Sequence, residues 1–203
     1  MECDTGRDRL DKRRRAMIEA GHRLFIEQGY EGTTLQDVVQ RSGGSLSTIY
    51  KLFGSKEGLL DAVVFEKVLT SEATIREIAD SQPDPAEAIR RLANIFHHMW
   101  THESHVGLTR IVMARSVSDL SFAERFFERT ALHSLNVLTE VFENWQNAGH
   151  AMKARPSLLA HIFWSMTVGD MHAEAMSHGL MERLSADVLE ERTEFFLRGA
   201  GLA

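Results

Sequence analysis

The segment Thr33–Leu60, TTLQDVVQRSGGSLSTIYKLFGSKEGLL, decides the fold, because it contains three helix starts within 28 residues. Thr33 with Gln36 predicts a capping box, in which the hydroxyl and the amide side chain satisfy free backbone N–H groups. Ser45 follows a Ser-Gly-Gly turn and Ser55 follows a Phe-Gly pair, so each predicts a further helix start. Two short helices joined by a glycine turn are typical of the helix-turn-helix motif.

The composition excludes several classes of protein. The 203 residues are 43% hydrophobic and 26% charged, which is ordinary for a globular domain. No apolar run approaches the roughly 20 residues that cross a bilayer, and the polar, acidic N-terminus does not resemble a signal peptide, so we expect no membrane association. Cys3 is the only cysteine, which rules out an intrachain disulfide and favours a reducing cytoplasm.

The charge is distributed unevenly along the chain. The net charge is −6 overall, yet residues 1–56 carry ten Lys and Arg against eight Asp and Glu. The excess of acidic residues therefore lies in residues 57–203. Because phosphate binding depends on a local basic surface, this asymmetry fits a nucleic-acid-binding N-terminal domain followed by an acidic domain.

The rest of the sequence predicts helices throughout, because only three prolines and little β-branched alternation interrupt the helical pattern. We predict an all-α fold of about nine helices. A helix-turn-helix domain spans residues 1–56, and a helical ligand-binding and dimerisation domain spans 57–203. A connector helix runs from Ser55 to about Asp80, and one long helix spans Phe122 to Trp145.

The segment around the glycine turn resembles the DNA-binding domain of the tetracycline-repressor (TetR) family of bacterial regulators. The resemblance covers about 45 residues and is specific, because many positions match at fixed spacing. The matching residues are Phe25, Gly29, Tyr30, Thr34, Val38, Gly43, Ser45, Thr48, Ile49, Tyr50, Phe53, Ser55, Lys56, Leu59 and Leu60.

The resemblance implies a function as well as a fold. It implies a homodimer that binds a pseudo-palindromic double-stranded operator and releases it when a small apolar or aromatic effector enters the C-terminal domain. Such a protein is a repressor and not an enzyme, and we expect neither a cofactor nor a bound metal. The effector and the operator sequence do not follow from the chain.

The family's DNA contacts carry over to matching positions. The resemblance places Thr34, Tyr50 and Lys51 at phosphates, and the helix dipole at the start of the connector would add to the charge of Lys56. The residues expected to face bases are Ser45, Ser47 and Thr48. For the hydroxyl residues and Lys51, a solvated surface is the alternative.

Two positions depart from the family pattern, and one basic run stays ambiguous. Gly44 stands where valine is common, so the turn loses a core side chain and is expected to be looser. Leu46 stands where a polar residue is common, and it is either an extra core residue or a contact to a thymine methyl group. The run Lys12-Arg13-Arg14-Arg15 contacts DNA or is a solvated helix end.

The C-terminal domain contains many large apolar side chains, most of which are ordinary core at any one position. Collectively they suffice to line an effector pocket, with a few polar groups to orient the ligand. The predicted ligand contacts are Trp100, Arg110, Met113, Phe127, His133, Trp164, Asp170 and Met171, with His172 as a further polar candidate.

A dimer is also expected from the size of the motif, since one short helix makes few base contacts. Two half-sites about 34–36 Å apart give this motif usable specificity. The resemblance implies that the last two helices pair across a two-fold axis. The predicted dimer face consists of Leu159, Phe163, Met166, Ala173, Leu189 and Phe196.

Two alternative functions stay open, and the first of them is raised by the ten histidines of the chain. His98, His102 and His105 fall at i, i+4 and i+7, with His97 nearby, which is a spacing that can hold zinc. A metal-dependent all-α enzyme using the His97–His105 cluster is therefore one alternative, although the segment contains no nucleophile motif. A protein-binding adaptor, which uses the N-terminal domain for packing only, is the other.

Overall fold

The computed structural model describes residues 4–178, 180 and 184–203; within these ranges the side chains of 4–7, 67–69 and 100 are not described. The described residues form ten helices and no strand, as the all-α prediction requires. The helices are α1 (Asp4–Gly32), α2 (Leu35–Ser42), α3 (Leu46–Phe53), α4 (Lys56–Ser81), α5 (Pro85–Thr101), α6 (Glu103–Ser118), α7 (Leu120–Arg129), α8 (Ala131–Asn147), α9 (Pro156–Ser177) and α10 (Ala186–Ala200).

The described chain divides into two compact units, which we call the N-terminal unit, up to Lys67, and the C-terminal unit, from Val68 to Ala203. Helix α4 begins in the first unit and ends in the second. None of the helices in the described ranges combines the length and the apolar character that a membrane span needs.

The N-terminal unit is a three-helix head with a core drawn from each helix. Phe25 of α1, Val38 of α2 and Ile49 of α3 are fully buried. Ile49 therefore packs inward, whereas Phe53, four residues further along α3, is only half-buried. Helix α1 is kinked at Gly29, whose positive φ of 76° lies outside the helical region.

Four helices build the core of the C-terminal unit. Phe163 of α9 lies 5.5 Å from Phe196 of α10 and 6.2 Å from Phe96 of α5, measured between ring centroids. Phe142 of α8 approaches Phe196 at 6.3 Å. Such tilted and edge-on pairs stabilise the packing beyond simple burial of apolar area. One aromatic cluster thus fixes α5, α8, α9 and α10 against one another.

Capping residues also fix helix starts in the C-terminal unit. Asp84 accepts a hydrogen bond from the Ala86 N–H, and Pro85 is the first residue of α5. Ser185 caps α10 by accepting from the Val188 N–H. In both cases the side chain satisfies a backbone donor that the helix leaves free.

The long helix predicted from Phe122 to Trp145 is divided in two. Thr130 has φ −126° and ψ −81°, which ends α7 at Arg129 and starts α8 at Ala131. Its hydroxyl donates to the carbonyl of Phe126. This local hydrogen bond competes with the regular helical pattern at Thr130. Because the predicted long helix is split there, the described residues form ten helices and not nine.

Candidate functional site

The start of α2 is fixed by a capping box one residue further along than predicted. Thr34, and not Thr33, is the N-cap: its hydroxyl oxygen accepts from the Asp37 N–H, and its own N–H donates to the Asp37 carboxylate. The Thr34 hydroxyl and then its backbone N–H hold the pKa of Asp37 below its ordinary value. Thr33 is buried and donates to the Gly29 carbonyl.

The turn between α2 and α3 depends on the absence of a side chain at Gly44. Its φ is +110°, and a Cβ there would lie 3.0 Å from Met17 Cε and 3.3 Å from Arg13 Nη1. A larger residue would be strained and would press against α1. The turn is therefore closely packed by α1, so the looser turn that we expected from the missing valine is not what forms.

The end of α3 is fixed by an equally close contact with α4. A Cβ on Gly58 would lie 2.0 Å from the carbonyl oxygen of Phe53, a separation that atoms cannot adopt. Ser55 caps α4 by accepting from the Gly58 N–H at 3.1 Å, which confirms the predicted helix start. Helix α3 is thus held at its first turn by α1 and at its last residue by α4.

Lys56, predicted to contact phosphate, is largely engaged within the N-terminal unit. Its ammonium donates to the carbonyl of Tyr30 at 2.8 Å and approaches that of Glu31 at 3.4 Å. It also lies 4.4 Å from the centroid of the Tyr30 ring, a cation–π distance. Lys56 therefore joins the start of α4 to the carbonyl end of α1.

The outward surface of α3 is formed by Leu46, Ser47, Tyr50 and Lys51, all of which are exposed. Leu46 is 41% exposed, so the interpretation as an extra core residue is wrong. Thr48, predicted to face bases, is half-buried, and its hydroxyl lies 2.9 Å from that of Ser45. The exposed surface combines apolar, hydroxyl and cationic groups.

Part of the basic run in α1 lies beside this surface. The Arg14 guanidinium lies 5.8 Å from the centroid of the Phe53 ring, and Arg13 packs over the glycine turn. Lys12 forms an ion pair with Asp8 at 2.8 Å, whereas Arg15 is exposed. Two of the four cations thus flank the two ends of α3.

The predicted polar effector contacts bind other groups of the C-terminal unit. Arg110 donates to the carbonyl of Ala175 at 2.9 Å. His133 lies 2.7 Å from a carboxylate oxygen of Glu72, and this hydrogen bond is the main cause of the lowered pKa of Glu72. These contacts join α6 to α9 and α8 to α4, so each residue has a clear role in packing.

Asp170, the third predicted polar contact, forms a two-oxygen ion pair with Arg192 at 2.8 and 3.0 Å. Among the predicted apolar contacts, Trp164 packs edge-on against Phe96 in the core, while Phe127 is half exposed. Met171 accepts from the Thr109 hydroxyl. Asp170, Trp164 and Met171 thus each contact another group of the C-terminal unit.

For the two remaining predicted effector contacts, Met113 and Trp100, the structure gives only their position on a helix and, for Met113, its burial. Met113 is half-buried on α6. Trp100 lies on α5, but its side chain is outside the described part of the structure. The role of all eight residues as ligand contacts stays a prediction.

The histidine-rich segment does not form the single helical face that a zinc site would need. His102 has φ −68° and ψ 133°, which ends α5 and starts α6, so His98 and His105 lie on different helices. His102 instead caps α6 through the Ser104 N–H. No group of three or more potential metal ligands occurs among the described residues. The structure gives the enzyme alternative no support.

Four side chains of the predicted dimer face are buried in the core of a single chain, so they do not themselves form an exposed surface, although Leu159 and Phe196 also border a groove between α9 and α10. Each one has an apolar neighbour immediately before it, and in every pair the first residue is exposed and the second is buried. The exposed and buried pairs are Leu158 and Leu159, Ile162 and Phe163, Val188 and Leu189, and Phe195 and Phe196. Met166 and Ala173, also predicted, are half-buried.

Three of the four exposed residues line a shared groove. A groove of about 1010 Å³ runs between α9 and α10, and Ile162, Met166, Val188 and Phe195 are among its lining residues. None of the seven predicted effector contacts whose side chains are described lines it. The sequence showed apolar positions on both helices, but it could not reveal which of two adjacent apolar residues faces outward.

Comparison with known proteins agrees with this geometry. Residues 17–63 match the family described as bacterial regulatory proteins, tetR family. Residues 87–199, more than half of the chain, match the C-terminal domain of AefR-like transcriptional repressors. The two matches coincide with the helix-turn-helix head and with most of the C-terminal unit.

Individual proteins are similar over nearly the whole chain. The transcriptional regulator HbdR of Aromatoleum sp. (strain CIB) is 26% identical over 90% of this chain and 78% of its own. A structure from Mesorhizobium loti, assigned to the TetR family, superimposes with a TM-score of 0.80 at 24% identity, over 94% of this chain and 97% of the other.

A third similar structure is the regulator FadR of Bacillus subtilis in complex with stearoyl-CoA. It superimposes with a TM-score of 0.72 at 17% identity, over 91% of this chain and 97% of the other. At these identities the two solved structures establish the fold alone. The family matches carry the assignment: the chain belongs to the TetR family of bacterial regulators and is a DNA-binding transcriptional repressor.

Proposed function

We infer that two copies of the protein bind a pseudo-palindromic operator through α3, and that a small apolar or aromatic molecule bound in the C-terminal unit releases it. The observation that carries this function is the fixed position of α3. Contacts at Gly44 and Gly58 hold both of its ends, and its outward surface is free to enter a major groove.

The charges around α3 support phosphate binding on either side of the groove. Lys51 is exposed on α3, and Arg14 of α1 is exposed beside Phe53 of α3. Lys56 donates to carbonyls of Tyr30 and Glu31 and lies 3.8 Å from the Glu31 carboxylate, and its remaining ammonium hydrogen would reach a phosphate in this proposal. Thr34 and the hydroxyl residues of α3 complete the proposed DNA surface. We place the boundary between the DNA-binding and effector-binding domains near residue 56.

The groove between α9 and α10 supports the dimer. It exposes Ile162, Val188 and Phe195, and Leu158 is exposed elsewhere on α9; a second copy of the chain would cover these side chains. An interface made of the same patch on both subunits closes with two-fold symmetry, as the operator's inverted repeat requires. We propose these four residues as the interface in place of the buried ones.

The effector acts through α4 in this proposal. Within the C-terminal unit, α4 is tied to α8 by Glu72 with His133 and by Arg76 with Glu140 at 2.9 Å. A molecule that shifts α8 would move α4, whose first turn holds the end of α3. The effector must bind the DNA-incompetent form better, and operator DNA must weaken effector binding equally.

Selection from a random duplex library tests the function directly. We expect an enriched inverted repeat whose affinity falls steeply with salt, because several phosphate contacts release counterions. Sedimentation of the protein alone should give a dimer. A monomer with no preference for any duplex at low ionic strength would contradict the proposal.

A further inference from the structure

The outward surface of α3 has an apolar centre. Leu46 is 41% exposed and Tyr50 is 54% exposed. Residues at i and i+4 lie one above the other on the same side of a helix, so the two side chains form one patch. Ser47 and Lys51 are exposed alongside it. Any groove that admits α3 must therefore meet this patch.

The hydroxyl groups beside the patch are largely occupied by one another. Ser45 Oγ lies 2.8 Å from Ser47 Oγ and 2.9 Å from Thr48 Oγ1, and it also accepts from the Thr48 N–H. A hydroxyl has one hydrogen and two lone pairs. Ser45 must therefore donate to one neighbour and accept from the other, which leaves one free hydroxyl hydrogen among the three residues.

Leu46 is also the side chain best placed to reach a base. It is the first residue of α3, and the N-terminal residues of a recognition helix contact base edges. Gly43 and Gly44, three and two residues before it, carry no side chain that could shield it. Met17 and Arg13 of α1 lie so close to Gly44 that a Cβ there would meet them, which limits movement of the turn before α3.

We propose that Leu46, backed by Tyr50, selects operators that carry a thymine methyl group opposite it in the major groove. An alkyl side chain cannot hydrogen-bond, and the thymine C5-methyl is the apolar group on the major-groove edges of the four DNA bases. Covering one methyl group contributes about 0.8 kcal/mol, which is roughly a fourfold change in affinity. The inference rests on the proposed DNA-binding function and adds the group that is read.

Deoxyuridine tests this without changing any hydrogen bond, because it differs from thymine only by the missing methyl group. Each thymine of the selected operator is replaced in turn, and binding is measured at fixed salt. At one position in each half-site we expect roughly fourfold weaker binding by the unaltered protein. With Leu46→Ala, the same replacement should have no effect, since the side chain that covers the methyl group is gone.

A second pair of operators tests whether a methyl group is also recognised when another base carries it. With cytosine placed at the sensitive position, 5-methylcytosine should bind the unaltered protein more tightly than cytosine does, and Leu46→Ala should not distinguish the two. Lys51→Ala is the matched control: it should weaken binding to all these duplexes equally and keep the methyl effect. Circular dichroism verifies that each variant is folded; Leu46→Met, which keeps an apolar side chain, should retain the methyl effect.

The outcomes separate this proposal from the proposed function. If the protein binds a salt-sensitive inverted repeat but ignores deoxyuridine at every position, the methyl proposal is wrong and the function stands. The same follows if Leu46→Ala keeps the full deoxyuridine effect. If no duplex is preferred at all, the function itself fails.

Discussion

Helices α3 and α10 have similar starts and similar exposed apolar side chains, but they differ in length and in how their surroundings fix them. Each starts at a serine N-cap, and each exposes apolar side chains: Leu46 on α3 and Phe195 on α10. Helix α3 has eight residues and lies between Gly44 and Gly58, where neighbouring atoms leave little room for a side chain, whereas α10 has fifteen residues and lines a groove. An exposed apolar residue thus suits base reading on a short, fixed helix and subunit contact along a groove.

The largest effect is expected where α3 is held. In Gly58→Ala the new Cβ would overlap the Phe53 carbonyl oxygen, so α3 and α4 must move apart. We expect the free energy of unfolding to fall by about 3 kcal/mol, as for a severely overpacked site. Operator affinity should fall roughly a hundredfold or more, because the recognition helix is displaced. Calorimetry and a binding titration measure the two effects.

Gly32→Ala is the matched control within the same unit. A Cβ at Gly32 would meet only Gln28 Cβ at 3.6 Å, an ordinary contact. Stability and operator affinity should therefore stay within about 0.5 kcal/mol of the unaltered protein. If Gly58→Ala behaves like this control, α3 is not held by α4 in the way that we describe.

The second largest effect is expected at the groove. Phe195→Glu places a carboxylate on an apolar surface that the dimer would bury, so unpaired charges would face each other across the two-fold axis. We expect a monomer at micromolar concentration and operator affinity lower by about 10- to 100-fold, since a monomer engages one half-site. Analytical ultracentrifugation gives the oligomeric state.

Leu120→Glu provides the comparison, because Leu120 is also an exposed apolar residue but does not line the groove. It should remain dimeric and bind operator normally. If Leu120→Glu is monomeric while Phe195→Glu stays dimeric, the interface involves α7 and not the groove between α9 and α10.

The sequence predicted the head better than the groove, and the difference has a physical cause. Ser45 and Ser55 act through neighbours three residues away, so a short segment contains the whole interaction. The choice between Phe195 and Phe196 depends instead on how α10 rotates against α9, which only the assembled core determines. Two adjacent apolar residues on a helix therefore show where its buried face meets its exposed face, but they do not show which of the two residues is exposed.

The same reasoning explains which parts of the head were missed. The contacts of Gly44 with Met17 and of Lys56 with Tyr30 join residues more than 25 positions apart. No local pattern reports such a contact. For a similar reason, sequence spacing does not reveal that Arg110 and Asp170 have packing partners within the C-terminal unit.

A pair of serine substitutions sharpens the contrast between the two helices. Ser45→Ala and Ser185→Ala each remove one N-cap, and each should cost about 1 kcal/mol of stability. Only Ser45→Ala should also lower operator affinity, by about threefold to tenfold, because it disrupts the hydroxyl cluster at the start of α3. Equal operator affinity in both variants would show that Ser45 does not contribute to DNA binding.

The smallest effect concerns the tie between α4 and α8. The hydrogen bond from His133, followed by that from Arg76, lowers the pKa of Glu72, so folding favours its carboxylate. That stabilisation is present above glutamate's ordinary pKa of about 4.3 and disappears as the pH falls through the lower folded value. Glu72→Gln should therefore cost about 0.5 kcal/mol at pH 7, and the cost should shrink below pH 4 or so.

Denaturant titrations at several pH values measure this cost, with Glu143→Gln, an exposed change on α8, as the control. Asp37→Asn makes the corresponding change in the N-terminal unit, where the pKa is also lowered, and its effect should have the same pH direction. If effector binding still weakens operator binding equally in Glu72→Gln, the route through α8 and α4 does not transmit the signal. If the response is reduced while the variant stays folded, the tie that holds α4 in the C-terminal unit is also part of the switch.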